Sequence, residues 1–119
     1  MHEVLAFLKD RRRDLNEKKA ALMHQNPHGL TFFFLALRRN ADYELIEKMV
    51  EIGGKELVLK SNNIGETVLH EAAHLGSSFE TYKLLVDVGG KEILLKQDRK
   101  GNTPLHHGKH YFHTRYFEI

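Results

Sequence analysis

Residues 65–76 read Gly65-Glu66-Thr67-Val68-Leu69-His70-Glu71-Ala72-Ala73-His74-Leu75-Gly76, and residues 101–106 start the same way, Gly101-Asn102-Thr103-Pro104-Leu105-His106. The lag is 36 residues, and it governs most of the chain. Gly29 and Thr31 sit one step before Gly65 and Thr67. Gly53-Gly54-Lys55-Glu56-Leu57-Val58-Leu59-Lys60 returns as Gly89-Gly90-Lys91-Glu92-Ile93-Leu94-Leu95-Lys96, and Tyr43-Glu44 returns as Phe79-Glu80. His74 maps to His110. So many matches at one lag mean that a unit was duplicated, and a period of this size marks a repeat architecture.

Each unit reads as two short helices. A threonine hydroxyl can accept from the orphan N–H groups of a first helical turn, so Thr67 and Thr103 suit N-caps. Pro104 then falls at the first helical position, where its missing N–H costs nothing. The first helix is expected over 68–75 and ends at Gly76, since a left-handed C′ residue is cheapest without a Cβ. The second is expected over 79–88, with Leu84, Leu85 and Val88 as its apolar stripe. Gly89-Gly90 closes it, then come the apolar Ile93-Leu94-Leu95 and a polar turn over 97–101. The earlier unit reads alike: 31–39, 43–52, Gly53-Gly54, then Leu57-Val58-Leu59.

The pattern resembles the ankyrin repeat, whose Gly-x-Thr-Pro-Leu-His stands here as Gly101-Asn102-Thr103-Pro104-Leu105-His106. In the preceding unit Val68 takes the proline position. In the looser unit from Gly29, Phe34 takes that of the histidine and Asn40 that of the closing glycine. The resemblance implies an all-α solenoid of stacked helix–turn–helix pairs with incomplete repeats at both ends. It divides the chain into an N-terminal helix over 1–26 (partial repeat or cap), a divergent repeat over 27–61, a repeat over 62–97 and a truncated repeat over 98–119. Ala21-Leu22-Met23 sits one period before Leu57-Val58-Leu59. A structural role follows for Gly65, Thr67, Leu69, His70, Gly101, Thr103, Pro104, Leu105 and His106, with each histidine tying one repeat to the next. It also implies non-catalytic, scaffold-like binding of another protein, by turn tips and the exposed face of first helices. The turn positions are His28, Leu30, Asn63, Ile64, Glu66, Arg99, Lys100 and Asn102. The helix positions are Arg38, Arg39, Glu71, His74, Leu75, His107, His110 and Tyr111. Each repeat leans on its neighbours, so two whole units and two halves imply marginal stability or a piece of a longer array. Tyr111, Phe112, Tyr116 and Phe117 would leave an apolar end exposed or fold back as a cap.

Composition sets the outer bounds. Hydrophobic residues make up 41% and charged residues 29% of the 119, which is globular rather than disordered. No apolar run reaches the ~20 residues that span a bilayer, and the N-terminal Val4, Leu5, Phe7 and Leu8 precede rather than follow the basic run at Arg11, so the start does not fit a signal peptide. With no cysteine, disulfides and thiolate metal sites are excluded. A cytoplasmic or nuclear location is expected, with no membrane partner and no cofactor. Net charge is +2, with basic ends and a mildly acidic middle, weak grounds for nucleic acid.

One motif points elsewhere. His70-Glu71-Ala72-Ala73-His74 is a His-Glu-x-x-His stretch, which on a helix could hold zinc between the histidines with the glutamate as general base. But His70 recurs as His106 and belongs to the repeat. Glu71 maps to His107, so the base does not recur. The helix is two turns long, and no third ligand is clear. A metal-dependent hydrolase is therefore the rival reading. His74, His106, His107, His110 and His113 cluster towards the C-terminus, where a solvated surface is expected rather than a metal site.

Overall fold

The computed structural model describes residues 2–104. Among them the structure is all-α, with six helices and no strand: α1 His2–Lys9, α2 Leu15–Met23, α3 Phe32–Arg38, α4 Tyr43–Val58, α5 Val68–Leu75 and α6 Phe79–Leu95. They lie in two rows. In the inner row α3 packs on α5; in the outer row α1 and α2 pack on α4, and α4 on α6. Within layers, α3 meets α4 and α5 meets α6. The core runs along the seam between rows. Phe33, Phe34, Met49, Leu57, Val58, Val68, Leu69, Tyr82, Leu85 and Ile93 are fully shielded.

The helix starts follow from local chemistry. Thr31 Oγ1 accepts from the Phe34 N–H at 3.4 Å. Asp14 caps α2 through the Asn16 N–H, and Ser78 caps α6 through Thr81. α5 ends at Gly76 with φ 69°. Asn40 holds the equivalent left-handed position after α3 at φ 53°, a conformation that asparagine tolerates better than most residues. Tyr82, absent from the expected stripe, is an anchor of α6: its hydroxyl donates to the Ala72 carbonyl at 2.6 Å and so clamps α6 to α5.

The second helices differ from expectation in one respect. Each is broken, not ended, at its glycine pair. Gly54 (φ 63°, ψ −160°) and Gly90 (φ 67°, ψ −160°) take a conformation essentially reserved for glycine, after which another helical turn follows. A Cβ on Gly53 would lie 2.5 Å from the Leu57 side chain, and one on Gly89 2.7 Å from Ile93. The first glycine thus makes room for the returning apolar side chain, and the second turns the chain to deliver it. Leu57, Val58 and Ile93 are buried in consequence, and Leu94 is half-buried. Leu95, expected among the covered residues, is 71% exposed.

Residues 1–26 also depart from expectation, because they hold two helices, α1 and α2, instead of one. Leu8 and Leu22 enter the core. The period reaches into this segment. Lys19 Nζ pairs with Glu56 at 3.3 Å and Lys55 Nζ with Glu92 at 2.8 Å, the same rung one layer on. The Lys55 ammonium holds the Glu92 carboxyl below the usual carboxylate range. No helix of the described residues is long and apolar enough to cross a membrane.

Candidate binding groove

The inner row is edged by three turns of one design. In 26–30, Asn26 Oδ1 accepts from the N–H groups of His28 and Leu30, each at 2.9 Å. In 62–66, Asn62 Oδ1 accepts from Ile64 at 3.0 Å and Glu66 at 2.9 Å. In 98–102, Asp98 Oδ1 accepts from Lys100 and Asn102, each at 2.9 Å. The glycines at the fourth positions, Gly29, Gly65 and Gly101, have φ of 81°, 80° and 82°. Short side chains that bond their own backbone two residues on, beside a glycine free to adopt positive φ, form tight turns.

Hydrogen bonds run from each turn to the next. The Asn63 N–H donates to the His28 carbonyl at 3.1 Å and the Arg99 N–H to the Ile64 carbonyl at 2.8 Å. Side chains repeat the step: Asn63 Nδ2 donates to the Pro27 carbonyl at 2.7 Å, and the Arg99 guanidinium to the Asn63 carbonyl. Gln25 Nε2 bridges the carbonyls of Gly29 (2.8 Å) and Ser61 (2.9 Å). The turns therefore form one stiff edge.

His70 fastens that edge to the inner helices. Its Nε2 lies 2.9 Å from the Asn102 carbonyl oxygen, and its Nδ1 is 3.0 Å from the Thr67 nitrogen. A carbonyl can only accept and a backbone N–H can only donate, so Nε2 carries the proton and Nδ1 is bare. The ring is neutral, with a fixed tautomer and both nitrogens engaged. This bond joins α5 to the following turn.

Between the first two turns and the end of α3 lies a groove of about 390 Å³, lined by His28, Leu30, Arg38, Asn62, Asn63, Ile64 and Glu66. Six of these were expected as contact residues, and the structure brings them together. Their exposure varies. His28, Arg38, Asn63 and Ile64 are exposed, as are Arg39, His74, Leu75, Arg99 and Lys100; Glu66 and Asn102 are half-buried. Two expectations need correction. Leu30 is 8% exposed and belongs to the core, because the turn folds its side chain inward ahead of Thr31. Glu71 is also 8% exposed and is taken up by Arg38, whose Nε lies 2.6 Å from Oε1; it is a link between α3 and α5. Leu105, His106, His107, His110 and Tyr111 lie outside the described residues.

The His-Glu-x-x-His stretch loses its zinc geometry for the same reasons. His70 has no ring nitrogen to spare, and Glu71 faces Arg38. Among the described residues, no group of three His, Asp or Glu side chains is placed to hold a metal. The turn builders Asn26, Asn62 and Asp98, and the bridging Gln25, were missed from sequence. The signal was present: each turn builder stands three residues before a repeated glycine, the spacing of an Asx turn. A scan against protein-family models and a search of curated proteins find no match to the chain.

Proposed function

We propose that the chain is a non-catalytic protein-binding module of the ankyrin-repeat kind, whose groove between turns and first helices receives a segment of another protein. One observation carries this reading. A stiff edge of three like turns, cross-linked by hydrogen bonds at each step, borders a groove that holds an exposed aliphatic residue (Ile64), an exposed arginine (Arg38) and an exposed amide (Asn63). Pre-formed concave surfaces that mix apolar and polar groups are where ligands settle, and rigidity lowers the entropy cost of holding one. The rival hydrolase reading would need His70 and Glu71 as ligand and base, and both are committed to structural partners.

The test uses peptides selected on the intact protein from a random display library. Ile64→Asp should abolish their binding, while Glu47→Ala on the exposed outer surface of α4 should leave it unchanged. Equal loss in both variants, or in neither, would refute the reading. Zinc retained in stoichiometric amount after dialysis would favour the hydrolase.

A further inference from the structure

We infer that the segment received by this groove is an extended, acidic stretch of polypeptide carrying an aliphatic or aromatic residue between its carboxylates. The inference rests on the protein-binding reading above and adds the chemistry of the partner.

The argument is from charge. On the inner surface, comprising the three turns, α3 with its cap Arg39, and α5, the charged residues in the exposed class are Arg38, Arg39, Arg99 and Lys100. All four are cations. The surface also carries three acids, and each is drawn inward. Glu71 is buried against Arg38, Asp98 is half-buried with its carboxylate on the N–H groups of Lys100 and Asn102, and Glu66 is half-buried and accepts from Asn62 Nδ2 at 3.1 Å. The acids serve the fold, and the cations face outward. Two of the outer helices show the opposite bias: α4 and α6 carry Glu44, Glu47, Glu51, Glu56, Glu80, Asp87 and Glu92 against Lys48, Lys55, Lys83 and Lys91, whereas α1 and α2 carry Glu3 and Glu17 against Lys9, Lys18 and Lys19. An acidic ligand is thereby steered away from α4 and α6 and towards the cationic inner surface.

Arg38 is the best placed of the four. Glu71 grips it through Nε, which fixes the guanidinium plane, yet its side chain stays 42% exposed. A fixed guanidinium presents a ready fork to a carboxylate. Ile64, 49% exposed at the tip of the second turn, offers the apolar contact. Spacing selects an extended chain. Stacked helices lie about 8–10 Å apart, which an extended chain covers in about three residues. Carboxylates roughly three residues apart would therefore meet cations of successive layers.

The measurement is fluorescence polarisation with the full chain and labelled synthetic peptides of about 12 residues. One set has Asp and Glu around a Leu or Phe, a second has Asn and Gln in their place, and a third has Lys. A single-stranded oligonucleotide of similar length serves as a fourth probe. The acidic peptide should bind roughly tenfold or more tighter than its amide counterpart, with the lysine form weakest. Arg39→Glu combined with Lys100→Glu, both on exposed side chains and checked by circular dichroism, should abolish that preference and leave the amide peptide unaffected. Equal binding of acidic and amide peptides would overturn the inference and leave the protein-binding reading intact. Tighter binding of the oligonucleotide, with a steep salt dependence, would overturn both, as would no binding of any peptide.

Discussion

Replacing His70 by phenylalanine removes a side chain that ties α5 to the following turn, and the cost can be worked from its partners. Thr67 is fully buried, so its N–H, now 3.0 Å from Nδ1, would be stranded away from water at about 1–3 kcal/mol. Asn102 is half-buried, so water can replace Nε2 at its carbonyl, and that loss is about 1 kcal/mol or less. The sum is about 1–4 kcal/mol, a large share of the ~5–15 kcal/mol by which domains are stable. In urea, with a slope of about 1–2 kcal/mol per molar, the midpoint should fall by roughly 0.5–4 M. His70→Gln separates the two halves, because a glutamine at this position can accept from the Thr67 N–H as in a capping box. It should recover the larger part of the loss, since the Thr67 contribution is the costlier of the two. Phe34 occupies the equivalent position one layer earlier and can make neither of these bonds. A shift in His70→Phe of less than about 0.5 kcal/mol, within the range of an inert surface change, would refute the inter-layer role.

Other substitutions probe other links. Gly90→Ala should cost about 1–3 kcal/mol from backbone strain alone, because a Cβ there meets nothing within 4 Å. Gly76→Ala, in the milder left-handed region, should cost only about 1 kcal/mol; thermal melts that reverse this order would contradict the kink. Tyr82→Phe removes a buried hydroxyl from the Ala72 carbonyl and should cost about 0.5–1.5 kcal/mol, read from the same urea curves. Arg38→Ala should destabilise more than the double variant Arg38→Ala with Glu71→Gln, since the single change leaves a buried carboxylate without its partner. Equal stabilities would mean that the pair contributes nothing.

The fold was legible where one residue type carries a local instruction. The threonine caps, the stop at Gly76 and the step of 36 are matters of spacing, and α5 spans the residues expected of it. The glycine pairs were harder. Gly-Gly signals a break, but nothing in the letters says that the chain resumes a helix afterwards and returns Leu57 and Ile93 to the core. At the groove, the resemblance to the ankyrin repeat pointed to His28, Arg38, Asn63, Ile64 and Glu66. Burial could not be read for Leu30 and Glu71, since a leucine in a turn and a glutamate on a two-turn helix are both ordinarily exposed. Glu71 goes inward only because Arg38 lies across from it on α3, a relation of tertiary packing.

The most direct test of the groove is an amide NMR titration of the full chain with the acidic peptide. Shifts should concentrate in residues 28–30, 63–66 and 99–102 and along the exposed sides of α3 and α5, and Ile64→Asp should erase them. Shifts confined to α4 and α6, or to α1 and α2, would contradict the account.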